Sequence, residues 1–143
     1  MTPGTVRLEL TRAGVTFVAD VPGQLCPDCG ANIVDYKTLK SFERTAARWL
    51  ATSGLQSKEA FRFMRKALGL KASELASLLG TTKETVSRWE NGKHSIDRPT
   101  FAALATVVID ESKGRRSTLR QRLEAMNTAP IPPTEPVHLK FAA

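Results

Sequence analysis

The stretch ASELASLLGTTKETVSRWENG, from Ala72 to Gly92, decides the fold of this chain. Its apolar residues recur at the spacing that places them on one face of an amphipathic helix. They are Leu75, Ala76, Leu78 and Leu79 in the first half, and Val86 and Trp89 in the second half. Gly80 separates the two halves. We therefore predict two short helices joined by a tight turn at Gly80.

The second of these helices carries signals for both of its ends. Thr81 is followed three residues later by Glu84, which is typical of a capping box at a helix N-terminus. Gly92 is predicted to end the helix, because glycine adopts the left-handed conformation common after a last turn. The apolar face is narrow, so the rest of the helix is free to contact another molecule; it carries Thr82, Lys83, Thr85 and Arg88. A helix presented in this way predicts a helix-turn-helix, whose second helix lies in the DNA major groove.

Charge and composition favour a nucleic-acid partner. The chain of 143 residues has a net charge of +7 and a pI near 9.9, which suits a polyanion. No apolar run approaches the length of a membrane span, and no signal-peptide pattern is visible, so we expect a cytoplasmic protein. The sequence shows no Ser/His/Asp set, paired-carboxylate pocket or phosphate loop. We therefore expect no enzymatic activity.

The N-terminal segment has the alternation of a β-hairpin. Apolar and polar residues alternate on both sides of a predicted turn at Ala13-Gly14. The apolar positions are Val6, Leu8 and Leu10, then Val15, Phe17, Ala19 and Val21. Pro22-Gly23 is predicted to end the second strand and to deliver the chain to the sequence Cys26-Pro27-Asp28-Cys29-Gly30.

Cys26 and Cys29 are the only cysteines in the sequence. Their spacing suits a zinc knuckle, in which a turn points two thiolates at one metal. A structural zinc site needs four ligands, and neither His94 nor His138 is a natural third. Three interpretations stay open: two chains share one zinc through four thiolates, the knuckle holds no metal, or the pair is redox-active. The redox interpretation is the weakest, because such pairs usually begin a helix, whose dipole lowers the thiol pKa.

The predicted fold is mainly α. A helix from about Asp35 to Thr52 follows the knuckle, and its aromatic stripe is expected to pack on the hairpin or on the second domain. The next helix runs from Ser57 to about Leu68, and another begins near Pro99, after the Ala72 to Gly92 stretch. The prediction is a C-terminal bundle of four to five helices that contains the helix-turn-helix. A small domain of β-hairpin, knuckle and helix precedes it.

We place the domain boundaries so that residues 1–54, 55–127 and 128–143 form three units. Residues 112–126 form a basic segment that is predicted to be a helix. Its arginines either contact phosphates or are solvated, and its apolar stripe packs on the domain or on a second subunit. Four prolines between Pro130 and Pro136 exclude regular structure, so we expect a mobile or extended tail.

The central stretch resembles the Xre-type helix-turn-helix of phage repressors and many antitoxins. The similarity is carried by Leu68-Gly69-Leu70, by the residues from Leu75 to Gly80, and by Val86-Ser87-Arg88-Trp89-Glu90-Asn91-Gly92. With a C-P-x-C-G knuckle before this module, the chain is similar to MqsA/YgiT-type antitoxins. In that family an N-terminal zinc domain binds a toxin, and a C-terminal domain dimerises and binds the operator. The chain departs from it in two places: residues 1–21 lack the earlier C-x-x-C, and Lys71-Ala72 replaces the usual Thr-Gln.

The resemblance also implies roles for single residues. Arg88 matches the arginine that reads base edges, and Glu90 matches a buried acid that pairs with a basic residue, here Arg65. The other candidate DNA contacts, which follow from their position on the helix, are Thr82, Lys83, Thr85 and Ser87. The expected function is a sequence-specific transcriptional repressor that binds a palindromic operator as a dimer, as the autoregulatory antitoxin of a type II toxin-antitoxin system. The alternatives are a partner-binding module with weak DNA binding and a phage-type repressor with no toxin.

Overall fold

The computed structural model describes residues 1–140, and within that range it contains six α-helices and one antiparallel three-stranded sheet. The strands are β1 (Thr2–Arg12), β2 (Val15–Leu25) and β3 (Asn32–Ile33), in the order β1-β2-β3. The helices are α1 (Tyr36–Ser53), α2 (Lys58–Ala67), α3 (Ala72–Leu79), α4 (Lys83–Glu90), α5 (Arg98–Ser112) and α6 (Thr118–Asn127). The predicted mainly helical class is confirmed. None of the helices in this range is both long enough and apolar enough to cross a membrane.

The N-terminal hairpin forms as predicted. β1 and β2 pair along their whole length, from Thr2 opposite Leu25 to Arg12 opposite Val15. The two turn residues, Ala13 and Gly14, both have positive φ, at 54° and 76°. Two such residues match the twist of the flanking strands, which is why short hairpins favour this kind of turn.

The second strand does not end at Pro22-Gly23, as the sequence predicts, but continues to Leu25. Gly23 is needed there for close packing: a Cβ atom at this position would lie 2.6 Å from Cγ2 of Val6 and 2.8 Å from the carbonyl oxygen of Ile33. β3 pairs only with Gln24 and Leu25, so one side of β2 has no neighbouring strand at Pro22. A missing N–H is tolerated at such an edge.

The five helices from α1 through α5 share one apolar core. Its largest fully buried apolar side chains are Leu50 of α1, Phe61 and Met64 of α2, Leu75 of α3, Val86 of α4 and Leu104 of α5. The hairpin packs against this core through Ala13, Val15 and Phe17. The rings of Phe17 and Trp49 meet edge to face at 5.6 Å, so the end of the α1 stripe packs on the hairpin, whereas Tyr36 at its beginning is 74% exposed. Buried residues before and after position 54 thus pack in one cluster, and the division into domains stays a prediction.

The basic segment is not a single helix from residue 112 to 126. α5 ends at Ser112, Gly114 adopts a positive φ of 76°, and α6 begins only at Thr118. Ser117 is fully buried, and its hydroxyl is satisfied there because it caps α6 and donates a hydrogen bond to Asp110 Oδ2 at 3.2 Å. Residues 128–140 contain no helix or strand, as the prolines predict, and residues 141–143 of the predicted tail lie outside the described residues.

Candidate nucleic-acid interface

The turn between α3 and α4 forms where the sequence places it. Gly80 has a φ of 70°, and its N–H donates to the carbonyl of Ser77. The N–H of Thr81 donates to the carbonyl of Ala76 at 2.9 Å. These two bonds satisfy carbonyl groups at the end of α3 and turn the chain toward α4.

The predicted cap of α4 is wrong by one residue. The side chain of Thr82, and not of Thr81, accepts a hydrogen bond from the N–H of Thr85, at 3.2 Å, and α4 begins at Lys83. The reason is that the N–H of Thr81 already closes the turn after α3, so one more extended residue precedes the helix. Glu84 is therefore the second helical residue and does not complete a capping box. At the other end, Gly92 has a φ of 73°, as predicted.

Two apolar residues hold α4 against the core. Val86 is fully buried, and the ring of Trp89 packs edge to face against Phe61 with 5.9 Å between the centroids. Trp89 is partly buried and packs on the core cluster, which confirms its predicted structural role. The narrow apolar face of α4 is thus used in packing, and the opposite face is exposed.

An ion pair between Arg65 and Glu90 fixes the end of α4 to α2. The Nη2 and Nε atoms of Arg65 both lie 2.8 Å from Oε1 of Glu90, and Nη1 donates to the carbonyl of Leu70 at 2.8 Å. The side chains are only 11% and 7% exposed, respectively. The predicted pairing of these two residues is confirmed. It ties together α2, the connection before α3 and the last turn of α4.

The exposed face of α4 brings together three of the five predicted DNA contacts. Lys83, Ser87 and Arg88 line one shallow depression of the surface. Thr82 and Thr85 lie at the N-terminus of the helix instead, where their hydroxyl groups are 2.9 Å apart. The Thr82 oxygen also accepts from a backbone N–H, so it serves the helix cap first.

Three further residues line the same depression and were not predicted as contacts: Glu84, Asn91 and Lys93. Asn91 Nδ2 donates to Ser87 Oγ at 3.2 Å, so the Ser87 hydroxyl accepts a hydrogen bond from the end of its own helix. A spacing of three and four residues places Asn91 on the same face as Ser87 and Arg88, and this signal was available in the sequence. Lys93 follows the helix end directly.

The charge of this face is positive. Within residues 1–140, none of Lys83, Arg88 and Lys93 forms an ion pair, while Glu84 is the one carboxylate that lines the depression. The N-terminus of α4 adds the partial positive charge of its free N–H groups. The face therefore combines long cations, hydroxyl and amide groups, which are the groups that contact phosphates and base edges.

The two cysteines form a knuckle at the end of the hairpin. The N–H of Gly30 donates to the carbonyl of Cys26, and the N–H of Cys26 donates to the carbonyl of Ala31 at 2.8 Å. Cys26 is partly buried and Cys29 exposed, and neither is in a disulfide. A hydrogen bond from the Cys29 side chain, helped by the backbone N–H groups of Cys29 and Asp28, lowers the pKa of Cys26. Thiolate formation is thus favoured at Cys26, which suits a metal ligand.

No third metal ligand joins the knuckle in the part of the chain that the structure describes, since no group of three or more His, Cys, Asp and Glu side chains is placed to hold a metal. The donor set of one chain therefore fits half of a tetrahedral zinc site and not a whole one. Zinc shared between two chains stays a prediction.

Comparison with known protein families identifies the central part of the chain. Residues 61–107 match the family model described as helix-turn-helix, a segment that contains all of α3 and α4 and most of α2 and α5. The match does not extend to the hairpin or the knuckle. Searches among curated proteins and among solved structures give no significant match. Residues 61–107 are therefore an Xre-type helix-turn-helix domain, which indicates a DNA-binding transcription regulator.

Proposed function

We propose that this protein is a sequence-specific transcriptional repressor that binds a palindromic operator as a homodimer, with α4 in the major groove. The observation that carries the proposal is the exposed face of α4 within the matched domain. Lys83, Arg88 and Lys93 are exposed there without ion-pair partners among the described residues. Exposed cations on the free face of the second helix of a helix-turn-helix are the groups that contact phosphates and base edges.

Each residue of this face has a role that suits its chemistry. Arg88 donates two parallel hydrogen bonds to O6 and N7 of a guanine, a contact worth about 1 to 3 kcal/mol of base discrimination. Lys83 and the hydroxyl groups of Thr82 and Thr85 lie at the helix N-terminus, where phosphate oxygens are stabilised. Ser87 lies between these groups and Arg88 along the helix.

The dimer is proposed because one α4 helix contacts only a short stretch of DNA. One α4 helix covers only a few base pairs, and helix-turn-helix dimers gain specificity from two half-sites about 34 Å apart. The operator is then an inverted repeat with this spacing. We propose a twofold-symmetric dimer without assigning the surface that forms it.

The test is a titration of the protein with labelled DNA from upstream of its own gene and with a scrambled duplex of the same composition, at several salt concentrations. We expect binding at least a hundredfold tighter to the first duplex, with two chains per duplex in analytical ultracentrifugation. Equal and steeply salt-dependent binding to both would contradict the proposal, because it would report only a basic surface on phosphate.

The N-terminal part suggests that the repressor is also an antitoxin. Its strand β3 and the first turn of α1 expose large apolar side chains that the helix-turn-helix does not use: Ile33 is 55%, Tyr36 74% and Leu39 38% exposed. Tyr36 and Leu39 are three residues apart and so share one face of α1. Exposed apolar residues that lie close together are typical of protein-binding surfaces. We propose a toxin as the partner of this surface, in line with the resemblance to MqsA/YgiT-type antitoxins.

A truncation separates the two roles. Removing residues 1–34 deletes the hairpin and the knuckle but keeps Asp35, which caps α1, and the α1 residues that pack in the core. We expect the truncated protein to bind the operator with little loss and to bind the protein encoded beside its gene more weakly, because it lacks Ile33 of the proposed surface. If the full-length protein does not bind the protein encoded beside its gene, the result favours a repressor that has no toxin. Toxin binding together with weak, non-specific DNA binding would favour the partner-binding module.

A further inference from the structure

A cavity of about 450 Å³ lies on a part of the molecule that the α4 surface does not include. It is bounded by α1, the end of α2, the end of α5, the α5–α6 connection and α6. Cavities of roughly 300 to 1,000 Å³ are the size of small-molecule sites. The cavity and the depression at α4 share no residue.

The lining of this cavity has two chemically distinct parts. Four apolar or small side chains form one part: Ala47, Ala67, Leu68 and Val108. Four arginines form the other part: Arg44, Arg115, Arg116 and Arg120. An apolar surface beside several guanidinium groups matches a ligand that has an apolar body and an anionic end.

Ion pairs occupy only two of these arginines. Arg120 binds both oxygens of Glu111, at 3.0 and 3.2 Å, and Arg116 binds Glu124 at 2.6 Å. Arg120 also reaches Glu124, at 3.2 Å. These pairs hold α6 and its connection to the end of α5. Two arginines of the basic segment, Arg116 and Arg120, therefore stabilise the fold through ion pairs.

The other two arginines remain available. Neither Arg44 nor Arg115 has a carboxylate within ion-pair distance in residues 1–140, and both are exposed. The lining has four guanidinium groups and one carboxylate, that of Glu111. Even when Glu124, which pairs with Arg116 and Arg120 from outside the lining, is counted as well, two positive charges remain in excess. A guanidinium group binds carboxylate or phosphate through two parallel hydrogen bonds.

We infer that this cavity binds a small organic anion, whose apolar body packs on Ala67 and Leu68 and whose carboxylate or phosphate group is held by Arg44 and Arg115. The inference does not depend on DNA binding, because it uses other residues and another surface.

Isothermal titration calorimetry of the full-length protein tests the inference with three naphthalene derivatives that share one apolar body. They are 2-naphthoate, 2-naphthyl phosphate and the neutral 2-naphthamide. We expect at least one of the two anions to bind saturably, with one site per chain, and at least tenfold more tightly than the amide. The anion that binds better distinguishes a carboxylate site from a phosphate site.

Substitutions then locate the site. Arg44→Gln and Arg115→Gln should each weaken binding of the anion at least tenfold, since each removes a charged donor. Arg48→Gln on α1 and Arg122→Gln on α6 are matched controls, because both residues are exposed and do not line the cavity. They should bind as the unmodified protein does. Circular dichroism confirms that each variant is folded. Absence of saturable binding by both anions, equal binding of the amide, or unchanged binding in both cavity variants would overturn the inference.

Discussion

Breaking the Arg65–Glu90 ion pair is the sharpest test of how α4 is held. Glu90→Gln keeps the shape of the side chain and removes its charge, which leaves the Arg65 guanidinium group in a site where it is only 11% exposed. Arg65 retains its hydrogen bond to the carbonyl of Leu70, so the guanidinium group still has one hydrogen-bond partner in the protein.

The size of the effect follows from these contacts. Removing one partner of a buried pair costs about 3 to 5 kcal/mol. The retained bond to Leu70 and the amide oxygen that Gln still offers to Arg65 place this case at or below the low end, at about 2 to 3 kcal/mol. For a domain of this size we expect the melting temperature to fall by roughly 10 °C. Operator affinity should fall as well, because the last turn of α4 loses its attachment to α2.

Urea unfolding followed by circular dichroism measures the change in the free energy of unfolding. Arg116→Gln is the control, because its pair with Glu124 is 62% exposed on the arginine side and should be worth less than about 1 kcal/mol. The double variant Arg65→Met with Glu90→Met removes both charges and should recover much of the stability lost by Glu90→Gln. If the free energy of unfolding of Glu90→Gln falls by less than about 1 kcal/mol, the reasoning is refuted, because breaking a buried ion pair should cost more.

Three further predictions use other parts of the chain. Asp97 caps α5, and Asp97→Ala should cost about 1 kcal/mol in urea unfolding, whereas Asp97→Asn, which keeps an acceptor, should cost little at pH 7. Hydrogen bonds from the Thr100 side chain and backbone lower the pKa of Asp97. The Asp97 carboxylate therefore stabilises the folded protein at neutral pH, and this stabilisation is lost as the pH falls below about 3.8. The stability of Asp97→Asn should lack this pH dependence. Gly80→Ala should destabilise the protein by about 1 kcal/mol, because its φ of 70° is unfavourable for alanine; an unchanged unfolding midpoint would contradict this. If two chains share zinc, metal analysis should give about half an equivalent per chain, and Cys26→Ser should release the metal and weaken the dimer; a metal-free dimer of full stability would contradict sharing.

The helix-turn-helix was predictable because its signals are local. The spacing of apolar residues shows directly which face of each helix is buried, and glycine at positions 80 and 92 marks two chain reversals that need positive φ. The cap of α4 shifted by one residue because Thr81 and Thr82 have the same chemistry. Only the hydrogen bond that closes the preceding turn decides between them.

Other features depend on contacts between distant residues and left no local pattern. β3 is two residues long and exists because it pairs with Gln24 and Leu25. β2 continues through Pro22-Gly23 because it pairs with β1 as far as Leu25, and the glycine lets Val6 and Ile33 approach closely. The break before α6 depends on the buried hydrogen bond from Ser117 to Asp110, seven residues earlier.

Local spacing also predicts which candidate DNA contacts share one face of α4, while the contacts themselves stay a prediction. Lys83, Ser87 and Arg88 follow from helical spacing, and the structure places them on one exposed face. The cavity arginines are spread over α1, the α5–α6 connection and α6, and only the folded chain brings them together. Their separate positions in the sequence indicate nothing more than a solvated basic surface.

The central claim is that α4 reads DNA bases through Arg88. The most direct test is fluorescence anisotropy of Arg88→Ala with DNA from upstream of the protein's own gene and with a scrambled duplex, using Arg48→Ala on α1 as the matched control. We predict that Arg88→Ala loses roughly tenfold to a hundredfold in affinity for the first duplex and little for the second, while Arg48→Ala binds both as the unmodified protein does. An equal loss of affinity for both duplexes would contradict the claim and would make Arg88 a phosphate contact.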